Sequence, residues 1–257
     1  MQPLDEHLRE FRQFNPIQHI HGERPFSCIL FGKSGSGKTV MMADLFFRIK
    51  DTFDNIYLFS GTIDVRQQFT RFLGPRFVFG GLDDEVAVDK LNELVMRQEA
   101  FIRRGFRRSI APPCCDTKPL PRILLLFDDI ITAANDQRNP ILNHLFTNHK
   151  HFGISMIVAT QYIKSIQPTV RQNTDYAVLF RQVQDEAIRL LSNEFLGLFP
   201  RQMRARLLLD LTNNYQVIVV KNCGNIEYFV YRASSQVPAA LRGLAASSSS
   251  QNKRGGG

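Results

Sequence analysis

A glycine-rich segment joins an apolar run to a helical stretch near the start of this chain. Residues Gly32 to Thr39 follow the pattern G-x-x-x-x-G-K-[ST]. The apolar run at 26–31 predicts a buried strand before this segment, and residues 40–50 predict a helix after it. A glycine-rich turn in that position directs successive backbone N–H groups toward one point, and the helix N-terminus adds partial positive charge. The segment is therefore predicted to be a phosphate-binding loop.

Two side chains of this loop have predicted chemical roles. Lys38 would reach the β- and γ-phosphates of a nucleotide, and the Thr39 hydroxyl would hold Mg²⁺. The alternative is a flexible glycine loop with an unrelated lysine, which the flanking strand and helix argue against. The residues predicted to contact the nucleotide are Gly32, Lys33, Ser34, Gly35, Ser36, Gly37, Lys38 and Thr39.

A second apolar run, Ile123 to Phe127, ends in two consecutive carboxylates, Asp128 and Asp129. A continuous apolar run favours a parallel strand covered on both faces. At its carboxyl end, Asp128 would hold Mg²⁺ through water, as a Walker B residue does. Asp129 would polarise the attacking water as a general base. The alternative is that the acidic pair caps the next helix. The phosphate-binding loop upstream favours the catalytic interpretation.

A further buried strand is predicted from Gly153 to Thr160, with Gln161 at its end. Ligands of open α/β sheets gather at the carboxyl ends of strands. Gln161 is therefore predicted to contact the γ-phosphate or the attacking water. Polar residues at strand ends are also common in turns, and this alternative stays open.

Size and composition narrow the class of protein. The 257 residues suffice for one large α/β domain. No apolar run approaches the roughly 18 residues of a membrane helix, and the first residues lack the apolar core of a signal peptide. No C-x-x-C pair is present, so a zinc ribbon or disulfide framework is not expected, and we predict an intracellular, reduced protein. The cysteines are Cys28, Cys114, Cys115 and Cys223.

The formal net charge of +8 favours an anionic partner. Arginines cluster at the end of one predicted helix and in the loop after it, and again on a later helix. Contact with DNA phosphates and a solvated arginine-rich face are both compatible with this pattern. The DNA-binding candidates are Arg103, Arg104, Arg107, Arg108, Arg201 and Arg204.

Strands and helices alternate from residue 26 to residue 232, which predicts an α/β fold with a mostly parallel sheet flanked by helices. The last two strands, at 215–220 and 226–231, predict a C-terminal β-hairpin. Residues 1–25 are expected to form an N-terminal arm or short helix. Residues 233–257 are expected to form a tail that is disordered from about residue 244.

The order of the motifs points to one type of P-loop protein. The strand that carries Asp128 lies far along the chain from the loop, and an extra strand ending at Gln161 follows it. This order is typical of RecA-like P-loop NTPases of the additional-strand catalytic type. A GTPase is disfavoured, because the sequence lacks an Asn-Lys-x-Asp motif.

The chain resembles the viral genome-packaging ATPases of the FtsK–HerA superfamily. The similar branch is that of the poxvirus-like packaging ATPases of large DNA viruses, virophages and Polinton-type elements. The resemblance covers about residues 26–232 and rests on the loop together with residues 126–129, 148–155, 159–162 and 168–175. In this family the stretch that leads into the strand ending at the glutamine has the form Arg-His-x-x-Ile-Ser. Lys150 occupies the arginine position here.

The resemblance implies an ATP hydrolase that uses ATP and Mg²⁺ and moves double-stranded DNA. It also implies a homo-oligomeric ring, pentameric or hexameric, and a viral capsid or portal-vertex protein as partner. The implied location is the viral assembly site in the host cytoplasm or nucleus, or the virion. A cation from a neighbouring subunit would act as a finger on the nucleotide. The candidates are Arg171, Lys150 and Arg138, although lysine cannot make the bidentate contact of arginine.

Two other functions are compatible with the same residues. One is a HerA-like DNA-processing translocase or helicase, which would be expected to carry an additional N-terminal barrel domain. The other is a DNA-binding or assembly scaffold that binds ATP as a structural ligand without significant turnover. Measuring turnover with and without DNA separates the motor from the scaffold.

Overall fold

The computed structural model describes residues 8–20, 24–109, 119–129 and 140–234. The strands of this part of the chain form a single sheet. In chain order they are β1 Phe11–Gln13, β2 Ser27–Phe31, β3 Asn55–Ser60, β4 Val78–Phe79, β5 Ile123–Asp128, β6 Ile154–Thr160, β7 Tyr176–Leu179, β8 Gln216–Lys221 and β9 Glu227–Arg232. The helices are α1 Pro16–His19, α2 Lys38–Ile49, α3 Ile63–Leu73, α4 Glu85–Ser109, α5 Pro140–Asn148, α6 Pro168–Gln172, α7 Asp185–Phe195 and α8 Arg201–Leu211.

The strand order across the sheet is β1-β9-β8-β7-β2-β6-β5-β3-β4. The strands from β7 to β4 are all parallel to their neighbours, whereas β8 runs antiparallel to both β7 and β9. Strand β6 therefore lies between β2, which leads into the glycine-rich loop, and β5, which ends in the acidic pair. This arrangement confirms the predicted mostly parallel sheet of the additional-strand type, and β8–β9 confirms the terminal hairpin.

Both faces of the sheet are covered, because side chains alternate along each buried strand. Every residue of β5 is buried, with Leu124 and Leu126 on one face and Leu125 and Phe127 on the other. On the first face, helices α2 and α3 pack through Met42, Leu45, Phe46, Val65 and Phe69. On the second face, helices α4, α5, α7 and α8 pack through Leu91, Leu94, Leu145, Leu191 and Leu207. The central strands are thus held rigidly, and their carboxyl ends occupy defined positions.

The N-terminal segment contributes a strand that the sequence does not predict. A short helix is expected within residues 1–25, and α1 is present, but Phe11–Gln13 also pairs in parallel with β9. The ring of Phe11 stacks on that of Phe199 with centroids 5.3 Å apart. Three residues carry too little periodicity to indicate a strand, so only the tertiary pairing reveals it. The predicted tail from residue 235 onward lies outside the described residues.

Most other elements lie where the sequence places them, with boundaries shifted by a few residues. The long helix expected at 84–104 continues to Ser109, and the strand expected near 77–79 is only Val78–Phe79. In the part of the chain that the structure describes, no helix has the length and apolar character needed to cross a membrane.

Candidate active site

The glycine-rich loop connects the end of β2 to the first turn of α2. The Gly32 N–H donates to the Thr160 carbonyl of β6 at 3.2 Å, which ties the start of the loop to the neighbouring strand. Gly35 and Gly37 have φ values of 72° and 92°. Because side chains disfavour this left-handed region, the second fixed glycine of the pattern is required by its backbone conformation.

The first fixed glycine is required by space. A Cβ atom at Gly32 would lie 2.9 Å from the Cβ atom of Phe180, closer than such atoms approach in proteins. Phe180 follows β7, the strand on the other side of β2, so the loop entrance is confined by both neighbouring strands. Each of the two fixed glycines of the sequence pattern is therefore required for a different physical reason.

Lys38 lies between the loop and the acidic pair. Its side chain is buried, and its Nζ donates to the Lys33 carbonyl at 3.0 Å across the loop. Burial lowers the pKa of Lys38, while the nearby carboxylates of Asp129 and Asp128 oppose that shift. This hydrogen bond holds the amine against the loop that is predicted to bind phosphates.

Thr39 and Asp128, both predicted to hold Mg²⁺, lie in contact although 89 positions separate them. The Thr39 hydroxyl donates to Asp128 Oδ1 at 3.0 Å, and the Ser60 hydroxyl donates to Oδ2 at 3.4 Å. Burial, followed by the charge of Asp129, raises the pKa of Asp128 to about 6. A carboxylate whose charged form is disfavoured in this way is stabilised by a further cation beside it.

Asp129 and Gln161 form the second polar contact of the site. Gln161 Nε2 donates to Asp129 Oδ2, and the Asp129 N–H donates to the Ala159 carbonyl at 3.3 Å. Asp129 has a φ of 51°, an uncommon backbone conformation that is often found at functional positions. The structure thus brings Gln161 to the carboxylate predicted to act as the general base.

These residues fit a magnesium–nucleotide complex. The Ser36 Oγ is buried in the loop and has no hydrogen-bond partner among the described residues. Helix α2 begins after a glycine, so no side chain caps its first N–H groups. The hydroxyl of Thr39 and the carboxylate of Asp128 are the hard oxygen ligands that Mg²⁺ prefers. The loop therefore offers unsatisfied donors for phosphate oxygens beside oxygen ligands for the metal.

Lys150 lies away from this site, at the other end of the strands. Its Nζ contacts Asp175 Oδ1 at 2.5 Å. Asp175 directly precedes β7 and also accepts hydrogen bonds from the N–H and hydroxyl of Ser27, at 2.9 and 3.1 Å. Since Ser27 begins β2, the cation stabilises the amino ends of two strands whose carboxyl ends carry the loop.

Arg171 is also engaged within its own subunit. Its Nε contacts Glu194 at 2.8 Å, and its Nη1 donates to the carbonyls of Ile163 and Ile166. The side chain is mostly buried, and it stabilises the turn that follows the glutamine strand. The third finger candidate, Arg138, lies outside the described residues.

The first arginine cluster lies at the end of α4. Arg103 and Arg104 are exposed there, and Arg103 makes a 3.4 Å contact with Glu99 one turn earlier. The backbone of Arg107 and Arg108 continues the same helix, but their side chains lie outside the description. This helix end therefore offers at least two accessible cations.

The second cluster is less uniform. Arg201 is exposed at the start of α8, but Arg204 donates to the carbonyls of Phe199 and Gly197 at 2.8 and 2.7 Å. Arg204 thus stabilises the turn between α7 and α8, and only part of its side chain is accessible.

Three residues of the site are not among the sequence candidates. Ser60 ends β3 beside Asp128. Arg66 donates to the Ser60 carbonyl at 2.7 Å. The rule that ligands gather at strand ends indicates Ser60, once β3 is known to neighbour β5. Tyr215 lies beside Gly37, and only the tertiary structure indicates it.

The inserted strand β6, the loop after β2 and the acidic end of β5 together define a P-loop NTPase fold. Residues 16–230 match the family described as Poxvirus A32 protein, and the chain belongs to that family.

Viral proteins are similar along most of the chain. Protein 088R of Invertebrate iridescent virus 3 is 25% identical over 194 residues, which cover 75% of this chain and 68% of that protein. Protein 075L of Invertebrate iridescent virus 6 is 21% identical over 223 residues, covering 86% of this chain and 79% of that protein.

Solved structures share the fold at low sequence identity. B204, the DNA-packaging ATPase of Sulfolobus Turreted Icosahedral Virus, superposes with a TM-score of 0.53 at 14% identity, covering 80% of this chain and 97% of B204. EssC (ATPases 2 and 3) of Geobacillus thermodenitrificans has a TM-score of 0.60 at 14% identity, covering 90% of this chain but 44% of that chain. The genome packaging NTPase B204 of a related virus, Sulfolobus turreted icosahedral virus 2, was solved with AMPPCP, with a TM-score of 0.50 and 14% identity, covering 81% of this chain and 97% of that chain.

Proposed function

We propose that this protein is an ATP-driven motor that translocates double-stranded viral DNA into a capsid. The observation that carries the proposal is the contact of Gln161 with Asp129 beside the Thr39–Asp128 pair. A loop that only bound a nucleotide would need no second carboxylate held by an amide at the same sheet edge. Membership of the A32 family and the fold shared with B204 support packaging as the task of the site.

In the proposed reaction, Asp129 accepts a proton from the attacking water while Gln161 orients that water. The water oxygen forms a bond to the γ-phosphorus as the bond to the β–γ bridging oxygen breaks, and ADP and phosphate are released. Lys38 stabilises the charge that spreads over the phosphate oxygens. Thr39 and Asp128 would hold Mg²⁺, which supplies positive charge to the β- and γ-phosphates when bound.

Two substitutions separate nucleotide binding from turnover. Lys38→Ala should weaken ATP binding, because it removes the buried cation beside the loop. Asp129→Asn should keep ATP binding and lower kcat by about a hundredfold or more, because the amide cannot accept the proton. Equal turnover of Asp129→Asn and wild type would contradict the role of Asp129 as general base.

We also propose that the subunits form a pentameric or hexameric ring with active sites at the interfaces. A neighbour's cation near the γ-phosphate accelerates hydrolysis by about 10³-fold or more in finger-dependent enzymes. For Arg171 or Lys150 to act in this way, each would have to leave the acidic partner it has within its own subunit. The third candidate, Arg138, lies outside the described residues.

Mixed rings test the finger residue. Asp129→Asn subunits are combined with subunits that carry a substitution at one candidate, and turnover is measured against the mixing ratio. A cation that acts on a neighbour should restore or poison activity in proportion to the mixed interfaces. A fully active monomer, established by native mass measurement, would contradict the ring.

The DNA is proposed to be held through its phosphates, since a packaging motor must accept every sequence of its genome. The candidate surface includes Arg104, Arg107 and Arg108 at the end of α4. Replacing these three by alanine should weaken duplex binding, reduce its salt dependence and lower DNA-stimulated ATPase, while basal hydrolysis is kept. Each phosphate contact removed should change the slope of log K against log salt by about 0.9.

A control variant with the same loss of charge is available. The exposed arginines Arg71, Arg76 and Arg189 lie on other elements, and their replacement by alanine should leave the salt dependence nearly unchanged. Equal effects of the two triple variants would show that only net charge matters. If duplex DNA neither binds to an ATP-hydrolysing oligomer nor stimulates it at low salt, this result contradicts the motor function and favours the scaffold function.

The remaining parts of the proposal concern partners and location. A capsid or portal-vertex protein would dock the ring, and the viral assembly site in the host cytoplasm or nucleus would be its place of action, with the virion as an alternative. A HerA-like DNA-processing translocase is the second candidate function, because it would use the same fold and site. Packaging of DNA into purified empty capsids, measured as nuclease-protected DNA, distinguishes the two.

A further inference from the structure

An exposed tyrosine lies directly beside the phosphate-binding loop. Tyr215 is 75% exposed, which is the highest value among the exposed large apolar and aromatic residues of the described chain. A methyl group placed on Gly37 would lie 3.9 Å from Cδ1 of Tyr215, so ring and loop are in van der Waals reach. A large aromatic face is therefore presented to solvent beside the loop.

The backbone at this position is unusual. Asn214 and Tyr215 have φ values of 51° and 59°, so two consecutive residues that are not glycine adopt the left-handed region. For a bulky residue such as tyrosine this conformation is uncommon and strained, and it persists only where the surroundings enforce it. The chain thus tolerates strain in order to place this ring.

Several hydrogen bonds enforce the turn. Arg181 donates through Nη1 to the Leu209 carbonyl at 2.9 Å and to the side chain of Asn213. The Gln216 N–H donates to the Asn213 carbonyl at 2.9 Å. Because Arg181 follows β7 closely, the turn before β8 is tied to the strand beside the phosphate-binding loop. The backbone that carries Tyr215 is therefore held at a fixed position relative to the loop.

The sheet order decides which end of a bound nucleotide faces this ring. Strands β6 and β5 lie on one side of β2 and carry Gln161 and the acidic pair, which contact the γ-phosphate end in the proposed function. Strands β7 and β8 lie on the other side, and Tyr215 directly precedes β8. A nucleoside that points away from the acidic pair lies on the side of Tyr215.

We infer that Tyr215 is the platform on which the base of the nucleotide stacks. The inference rests on the proposed function for the position of the phosphates, and it adds the residue that binds the base. Stacking on an aromatic ring uses the π-face that every base has, so this contact contributes affinity without choosing among bases. The hydroxyl of Tyr215 is not needed for stacking.

Comparing a nucleotide with a probe that lacks the base tests the inference. Tyr215→Ala should weaken ATP binding by about tenfold and leave the affinity for inorganic tripolyphosphate within about twofold of wild type. Tyr215→Phe keeps the ring and should bind ATP as wild type does. Met96→Ala, at another exposed apolar residue, should change neither affinity. Equal weakening for ATP and tripolyphosphate, or no weakening for ATP, would overturn the inference.

Fluorescence gives an independent measurement that does not require loss of function. The chain contains no tryptophan, so Tyr215→Trp introduces a single tryptophan, whose emission is distinguishable from that of the tyrosines. ATP should quench its emission and tripolyphosphate should not, whereas Met96→Trp should respond to neither. Quenching of Tyr215→Trp by tripolyphosphate to the same extent would overturn the inference.

Two outcomes distinguish this inference from the proposed function. If wild type binds ATP through Tyr215 but does not hydrolyse it, the motor fails and the base platform stands. If wild type hydrolyses ATP and Tyr215→Ala instead lowers the native mass with unchanged ATP affinity, the Tyr215 side chain lies in a subunit interface. The inference that it stacks on the base is then wrong.

Discussion

Replacing Lys150 by methionine tests whether this cation acts in its own fold or on a neighbour's nucleotide. Methionine keeps most of the side-chain length and removes the charge. In the structure the Lys150 amine contacts Asp175 at 2.5 Å, and the carboxylate also accepts two hydrogen bonds from Ser27. A role in the fold predicts lower stability with unchanged catalysis.

The magnitude follows from how far each partner is buried. The Asp175 side chain is 7% exposed, but that of Lys150 is 50% exposed. A hydrogen bond to a charged group contributes about 1.5–3 kcal/mol when buried, and an exposed ion pair contributes about 0–1 kcal/mol. Because Ser27 still satisfies the carboxylate after the substitution, we expect a loss of about 1–2 kcal/mol. In a domain of this size that lowers Tm by about 2–8 °C.

The assay combines thermal unfolding with ATPase activity per folded subunit. Lys150→Met should show the lower Tm and a kcat within about twofold of wild type, and Lys150→Arg should restore Tm. Asp175→Ala should lower Tm further, because it leaves the buried Ser27 N–H without its acceptor. A Lys150→Met variant with unchanged Tm and a kcat lowered by about a hundredfold or more would refute the structural role and favour the finger.

Three other predictions follow from single contacts. Gly32→Ala should reduce ATP affinity by at least about tenfold, because its methyl group would lie 2.9 Å from Phe180 Cβ, whereas Gly197→Ala meets nothing closer than 3.9 Å and should bind normally. Gln161→Ala should keep ATP binding and lower turnover, because the catalytic carboxylate loses the amide that contacts it; single-turnover measurements check this, and unchanged chemistry would contradict it. Burial lowers the pKa of His149 below 6.5, so its contribution to stability is present above pH 6.5 and is lost as the pH falls through the lowered pKa. The Tm difference between wild type and His149→Gln should therefore narrow below about pH 6.5, and a constant difference would exclude this linkage.

The sequence predicts the central elements of the fold because their signals are local. The apolar run ending at Asp128 has only one favourable environment, a strand covered on both faces. The glycine pattern from Gly32 specifies a turn that few other residues allow. The contact of Thr39 with Asp128 then follows from chemistry, since both would hold one metal ion.

What the sequence does not predict depends on tertiary packing. The short strand β1 is stabilised by β9 and by stacking of Phe11 on Phe199, neither of which leaves a periodic pattern. The placement of Tyr215 beside Gly37 depends on a turn closed by distant residues. The role of Arg204 depends on which carbonyls lie near it after folding. Residue type alone therefore predicts that an arginine is cationic. It does not predict whether the guanidinium is already engaged in hydrogen bonds within the fold.

The pairing of β1 with β9 has a consequence for biosynthesis. Arg12 contacts Glu227, 215 positions later, so β1 cannot pair with β9 until β9 has left the ribosome. At about 5–20 residues per second the N-terminal segment stays without its partner for roughly ten seconds or more. Its exposed backbone edge is then available to other nascent chains. Completion of the sheet is thus coupled to synthesis of β9, and chains that end before β9 leave β1 without its partner strand.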